Sequence, residues 1–345
     1  MSAATIRDVA RHAGVGVGTV SRVINDSPAV SRETREKVLS AIETLDYSPN
    51  PMARRLSLGK TLTIAVIAPF FTRPSVVERL RGIEHVLADS EYDLIVFNIE
   101  TGARREAIFR DVARRERIDG LLVISLKLND GDAQRLLRVG TPTVLIDVAH
   151  PRFGKVVIDD VKGGRQATRH LLDLGHQKIG FVSDYEDSAF LFTANRDRYV
   201  GYQQALTEAG IPLRDEYFVA GEHQRESAYE CTCQLLRLPH PPTAVFATSD
   251  TLAIGALEAA QEMGRSVPEE FSVIGYDDIE IAEYLRLTTI RQSLFESGVR
   301  GGQLLLAAIE SQPEEPPRVV LPTTLVERDT TAPRRNSNEK HITND

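Results

Sequence analysis

Tryptophan is absent from this 345-residue chain, and cysteine occurs only twice, as Cys231 and Cys233. The two cysteines stand one residue apart in a stretch that reads as helix, Arg225 to Leu238, which would point them apart. Packing, not a disulfide or a zinc site, is expected of them. No segment reaches the roughly 18 uninterrupted apolar residues that would span a bilayer, and Met1 to Asp8 has no basic run followed by an apolar stretch. A membrane partner is therefore excluded, no export signal is read, and the protein is expected to stay in the cytoplasm. The C-terminal stretch Asp329 to Asp345 is polar and expected to be disordered, with no leucine heptads to build a tetramer-forming coil. No nucleophile motif, metal cluster or phosphate loop points to an enzyme or a cofactor, and Arg54 stands where a loop ending at Gly59-Lys60-Thr61 would need glycine.

What is present begins with an uneven charge. A net charge of -8 would ordinarily argue against nucleic acid, yet residues 1–60 hold nine Lys/Arg against six Asp/Glu, while the remainder holds 32 against 43. A basic head on an acidic body is the division expected if only the head approaches phosphates. At this length, with 42% apolar residues, two or three units are expected.

In the head, Thr5 and Asp8 form a capping-box pair, and Ile6, Val9, Ala10 and Ala13 recur at the spacing of one buried helical face. Gly14 stops this helix. A second helix is predicted from about Val17 to Asn25, with Val20, Val23 and Ile24 on its apolar side and Val17, Gly18, Ser21, Arg22 and Asn25 free on the other. Ser31 can cap a third, whose Val38, Ala41, Ile42 and Leu45 keep the same rhythm. Three such helices with a tight glycine turn make a helix-turn-helix, in which the Arg22 fork can bond guanine O6 and N7 together. Periodicity alone fits equally a small three-helix domain with an exposed arginine.

The run Thr5-Ile-Arg-Asp-Val-Ala-Arg-His-Ala-Gly-Val, then Thr19-Val-Ser-Arg-Val-Ile-Asn25 and Ser31-Arg-Glu-Thr-Arg-Glu-Lys-Val38, resembles the headpiece of the lactose/galactose repressor family. The resemblance implies that Val17, Gly18 and Arg22 face base edges while Thr19, Ser21 and Asn25 sit against the phosphate backbone; Thr5 joins them as a DNA contact. Two glycines depart from the family pattern: Gly16, where a serine usually caps the recognition helix, and Gly18, where a larger side chain usually reads bases. Residues 50–60 resemble the family's hinge, in which Asn50 caps a short helix and Met52, Ala53, Arg54 and Leu56 meet DNA, Leu56 as a wedge in the minor groove. On the residues alone this segment reads as a plain linker.

From Leu62 onward, β-branched runs alternate with helical stretches at Thr63 to Ala68, Leu94 to Asn98, Leu121 to Ser125, Thr143 to Asp147, Ile179 to Ser183, Ala244 to Thr248 and Ser272 to Tyr276. This is an α/β pattern: parallel sheets with helices on both faces, divided into two lobes. Ligands of such sheets bind beyond the carboxyl ends of strands, which singles out Pro69 to Thr72, Asn98, Ser125, Asp147, Asp184, Tyr185, Ser249, Asp250 and Asp277. Asp250, before Thr251-Leu-Ala-Ile-Gly, reads as a helix cap. Polar strand ends with nearby Phe70, Phe71, Phe190, Phe192 and Tyr276 suit a polyhydroxylated ring, whose stacking must fall to Phe or Tyr.

Arg198-Tyr-Val-Gly-Tyr202, Ser249-Asp-Thr-Leu-Ala-Ile-Gly-Ala256, Ser272-Val-Ile-Gly-Tyr-Asp-Asp278 and Leu287-Thr-Thr-Ile-Arg-Gln292 resemble the same family's effector-binding core. The resemblance implies a headpiece over 1–49, a hinge over 50–60 and a periplasmic-binding-protein-like body over 61–328. Its lobe 1 would take 61–160 and 291–320, and its lobe 2 161–290 and 321–328. Arg198 and Asp277 would bind ligand, with Asp147, Ser249, Phe70 and Phe71 beside them; Ser249 departs from the usual asparagine. The expected protein is a homodimeric transcriptional repressor that binds double-stranded operator DNA under control of a small-molecule effector, a carbohydrate first and a nucleobase or nucleoside as the alternative. A solute-binding protein and a sugar hydrolase with Asp147 and Asp277 as carboxylate pair are the rivals.

Overall fold

The computed structural model describes residues 4–48, 59–112, 118–185, 192–311 and 313–334, which fall into two compact units dividing between Leu62 and Thr63. The hinge residues Asn50, Met52, Ala53, Arg54 and Leu56, with Phe190, lie outside the described residues.

The first unit is three helices, α1 (Ile6–Ala13), α2 (Val17–Ile24) and α3 (Arg32–Thr44). Their inward faces supply one small core of Val9, Ala10, Val20, Val23, Val38 and Ala41, the residues whose i+3/i+4 spacing marked them in the sequence. The Asp8 carboxylate accepts the Thr5 N–H at 3.0 Å and the Thr5 hydroxyl at 2.6 Å, fixing the start of α1. Gly14 closes it at φ 66, the left-handed conformation that only glycine adopts without a Cβ penalty. Ser31 Oγ accepts the Thr34 N–H at 3.3 Å, capping α3.

The second unit holds two six-stranded sheets. In the first, β1 (Thr63–Pro69), β2 (Asp93–Ile99), β3 (Gly120–Ile124), β4 (Thr143–Ile146), β5 (Gly154–Ile158) and β11 (Arg318–Leu321) run in the order β11-β5-β4-β3-β1-β2, all parallel. In the second, β6 (Ile179–Asp184), β7 (Phe218–Gly221), β8 (Ala244–Ala247), β9 (Ser272–Asp277), β10 (Thr288–Arg291) and β12 (Thr324–Val326) run β12-β10-β9-β8-β6-β7, with only β12 antiparallel.

The period of two along a strand explains the layering. Ile64, Val66 and Ala68 of β1 pack with Val76, Ile83 and Leu87 of α4 (Pro74–Leu87) and Leu305 of α12 (Leu294–Glu310), whereas Ala65 and Ile67 meet Ile108 and Phe109 of α5 (Gly102–Val112) and Leu136 of α6 (Asp130–Val139). The second sheet repeats this arrangement. Val245 and Ala247 face α9 (Arg225–Leu236) and α10 (Asp250–Glu262), while Ala244 and Phe246 face α7 (Asp160–Asp173) and α8 (Ala194–Glu208). The chain passes between the lobes three times: from β5 into α7, from β10 into α12, and from β11 into β12.

Two glycines set the α7–α8 crossing. A Cβ on Gly164 would stand 2.2 Å from the Arg198 carbonyl oxygen, and one on Gly201 2.1 Å from that of Val161. This close approach carries Arg198 against the sheet. The chain past 328 is not loose at its start, contrary to expectation for the tail. Val273 N–H donates to Thr330 O at 2.8 Å, Thr330 Oγ1 donates to Val273 O at 2.7 Å, and Arg334 N–H donates to Leu174 O at 2.8 Å. Polarity misled there because these residues satisfy the sheet through hydroxyls and backbone, not apolar burial. Cys231 and Cys233 are free and buried in α9.

Candidate functional site

Two surfaces gather functional side chains. On the head, α2 buries Val20 and Val23 and turns Val17 outward, 43% exposed, with Gly18 and Arg22 also exposed and Thr19, Ser21 and Asn25 half-buried. Among the described residues Arg22 makes no ion pair or side-chain hydrogen bond, so its whole fork is free for an outside acceptor. The Thr5 hydroxyl proton is already given to Asp8, which leaves that oxygen only an acceptor in this arrangement. Gly16 stands at the N-cap of α2 and offers no side-chain oxygen, so the first N–H groups of the helix stay unbonded and available to a phosphate.

A Cβ on Gly18 would meet nothing within 4 Å. Gly18→Ala is therefore expected to stabilise α2 by about 0.5–1 kcal/mol through the smaller entropy of the unfolded chain. Slower hydrogen exchange of the α2 amides in the full chain would register it; unchanged or faster exchange would contradict it.

In the second unit the strand ends of both lobes converge on one cavity, about 80 Å³ in volume. It is lined from lobe 1 by Pro69, Arg73, Ser75, Val76, Arg79, Ser125 and Asp147, and from lobe 2 by Asp184, Phe192, Asn195, Arg198, His223, Ser249 and Asp277, with Gln292 from the crossover. Ser125, Asp147 and Asp277 end β3, β4 and β9 in positive-φ conformations of 53, 67 and 118, strained for residues with a Cβ and found where a side chain must be aimed at a site.

Each carboxylate has a partner and spare capacity. Asp147 Oδ2 accepts the Ser125 hydroxyl at 2.7 Å and pairs with Arg79 Nη2 at 3.1 Å, but its Oδ1 is buried with no donor. Asp184 Oδ2 lies 2.9 Å from His223 Nδ1, and its Oδ1 likewise lacks a donor. Asp277 accepts the Gln292 amide N–H; burial pushes its carboxyl upward from the ordinary range, against the pull of Arg198 and Arg79. Arg198 donates to Asp160 Oδ1 at 2.8 Å and to Thr248 O at 2.6 Å, and its guanidinium lies 3.8 Å from the centre of the buried Tyr276 ring. Asp160, fully buried, has its pKa pushed up to about 6 by burial despite Arg198.

Asp147, Arg198, Ser249 and Asp277 thus meet in one place. Phe70 and Phe71 do not line the cavity: Phe70 packs on the lobe 1 core under Arg73, whose guanidinium lies 4.3 Å from its ring centre, and Phe71 is 42% exposed. Tyr276 lies beneath Arg198 as a support, leaving Phe192 as the aromatic wall among the described residues. Asp250 is not the cap of α10. Ser249 Oγ accepts the Leu252 N–H at 3.3 Å, and Asp250 instead accepts the Ile279 N–H at 2.9 Å and the Thr289 hydroxyl at 2.5 Å. Asn98 accepts the Phe71 N–H at 3.1 Å and serves its own turn.

Sequence reasoning missed Arg73, Arg79, His223 and Gln292. Arg79 left a signal, a cation at i+3 from Val76 and i−4 from Ile83 on the apolar stripe of α4, where it is only 2% exposed. Gln292 was hidden because β10 was not recognised.

Residues 5–50 match the family described as bacterial regulatory proteins, lacI family, and residues 168–331 match the periplasmic binding protein-like domain. The HTH-type transcriptional repressor PurR of Erwinia tasmaniensis is 37% identical over 331 residues, covering 94% of this chain and 96% of that protein. The chain belongs to the lacI family. This lacI-family chain also superposes on the lac repressor dimer bound to operator and the anti-inducer ONPF, with TM-score 0.84, 29% identity and coverage of 96% and 100% of the two chains. A transcriptional regulator CelR–cellobiose complex matches it with TM-score 0.71, 33% identity and coverage of 95% and 99%. The lacI-family chain is a DNA-binding transcriptional repressor. Among its described residues no helix is long and apolar enough to cross a membrane.

Proposed function

We propose that the protein is an effector-controlled repressor that binds a pseudo-palindromic operator as a homodimer, reads it with the exposed face of α2, and holds a polyhydroxylated effector in the cleft between lobes. The observation that carries the effector half is that Asp147 and Asp184 line one cavity from opposite lobes, each with a buried carboxylate oxygen, Oδ1, that has no donor. A buried acceptor without a partner costs about 1–3 kcal/mol, so a ligand bringing hydroxyl donors to both gains that energy and draws the lobes together. The cellobiose held by CelR is a ligand of this chemistry. Exposed apolar side chains on the edge strand β2, Ile95 at 44% and Val96 at 38%, support pairing of two copies.

Arg22 and Val17 supply direct readout, a guanine fork and a thymine-methyl contact, while Thr19, Ser21 and Asn25 hold the phosphates. The hinge residues Asn50, Met52, Ala53, Arg54 and Leu56 extend the contact into the minor groove. Closing of the cleft shifts one lobe on the other and couples ligand to operator reciprocally. Selection of duplexes from a genomic library, followed by anisotropy titrations with mono- and disaccharides, nucleobases and nucleosides, tests this. A discrete operator whose affinity responds to a hydroxyl-rich compound is expected. Equal affinity for all duplexes, with and without every compound, would falsify the reading.

A further inference from the structure

The carboxylates of the cleft explain where hydroxyl donors go, but not why lobe 1 presents two arginines at one end of the cavity. Arg73 occupies the N-cap position of α4, where its side chain caps nothing, and Pro74 follows with no N–H to give. The first free N–H of this 14-residue helix is that of Ser75, which lines the cavity. Arg73 also lines the cavity. It makes no salt bridge or side-chain hydrogen bond among the described residues, lying between the rings of Phe70 at 4.3 Å and Phe192 at 6.0 Å. One turn further on, Arg79 is 2% exposed; its Nη1 donates to Ser75 O and its Nη2 to Gln292 Oε1, but its Nε has no acceptor.

A helix N-terminus, an unengaged guanidinium and a buried N–H without an acceptor all want the same thing, an oxyanion. The other wall contributes similarly: α8 starts in the cavity at Thr193, Ala194 and Asn195, with no side-chain cap. The acidic groups facing the cavity are Asp147, Asp184 and Asp277. The first is paired with Arg79 and the second with His223, and the third is held by Gln292. Burial draws the Arg73 guanidinium down from its ordinary range while Asp184 and Asp277 pull the other way, so water does not fully solvate it.

We propose that the effector is a polyhydroxylated acid, whose carboxylate or phosphate is bound by Arg73 and the Ser75 N–H with the buried charge of Arg79 behind them, while its hydroxyls donate to Asp147 and Asp184. This rests on the cleft being the effector site, and adds that the ligand carries a negative charge at the lobe 1 end. Arg73 is then the residue that separates an acidic ligand from its neutral parent.

The test is calorimetric titration of the full chain with matched series: glucose, gluconate, glucuronate and glucose 6-phosphate; ribose, ribonate and ribose 5-phosphate; cellobiose and cellobionate. In at least one series an acid is expected to bind at least about tenfold tighter than its neutral parent, the carboxylate and phosphate members deciding which oxyanion is preferred. Arg73→Gln should erase that preference, so that acid and neutral parent bind the variant with equal affinity; since the Arg73 side chain makes no capping bond, this variant is expected to keep its fold, as circular dichroism will check. A neutral parent bound as tightly as its acids, a preference that survives Arg73→Gln, or no binding by any acid overturns the proposal. If a neutral compound binds and shifts operator affinity, the oxyanion subsite falls and the effector cleft stands; if no compound of either kind shifts operator affinity, both fall.

Discussion

Replacing Arg22 by alanine is expected to lower operator affinity by about 10- to 100-fold, the loss of one bidentate guanine contact worth roughly 1–3 kcal/mol. The side chain is exposed on α2 and bonds to none of the described residues, so its removal leaves the small core of Val9, Val20 and Val38 intact. The loss should therefore appear in binding and not in stability. A base-reading arginine affects only the cognate duplex, whereas a phosphate-binding one weakens every duplex alike and flattens the salt dependence. Anisotropy titrations against operator and scrambled duplex at two salt concentrations separate these. Equal weakening on both duplexes would remove Arg22 from the set of base contacts, and a double variant with Leu56→Ala that still bound the operator tightly would refute both roles.

Arg198→Met is expected to destabilise the body by about 3–5 kcal/mol, because it leaves the buried Asp160 carboxylate without its cation. Thr248 O loses a donor and the Tyr276 ring its guanidinium in the same change. The consequence depends on pH. Burial raises Asp160 from 3.8 unfolded to about 6 folded, so the folded state binds the proton more tightly than the unfolded one. Stability from this group is present below the unfolded value and is lost as pH rises through the folded value, here between about 4 and 6. Without Arg198 the folded value rises further, and the loss extends above pH 6. Thermal melts of the variant should then fall more steeply between pH 5.5 and pH 8 than those of the wild type. Adding Asp160→Asn should restore much of the difference. A variant melting normally at pH 8 would show that the pair is not what holds α7 and α8 on the sheet.

The head was readable because an eight-residue helix with a buried stripe needs little more than its period. Val9, Val20 and Val38 announce themselves by spacing, and Gly14 and Ser31 mark the ends. The central strands β1, β3, β4, β6, β8 and β9 were equally plain, being short β-branched runs buried on both faces. The strands β5, β7, β10, β11 and β12 were not. The strands β7, β11 and β12 are sheet edges and β5 and β10 lie beside an edge, and residues such as Lys155, Arg291 and Arg318 interrupt the apolar pattern on exposed or half-exposed faces. The rule that sites lie beyond strand ends found Asp147, Ser249 and Asp277. It could not find Arg73 and Arg79, which come from the first turns of a helix, nor His223, which reaches the cavity from the stretch between β7 and α9.

Gln292 sits in one of the three passages of chain between the lobes, and its single carboxamide answers Arg79 of one lobe with its oxygen and Asp277 of the other with its nitrogen. A change in the separation of the lobes would stretch or break one of these two bonds. Under the proposed effector control, a ligand that favours this bonded arrangement would raise the fraction of molecules holding it, and the promoter's response would follow that population instead of a gradual bending of every copy.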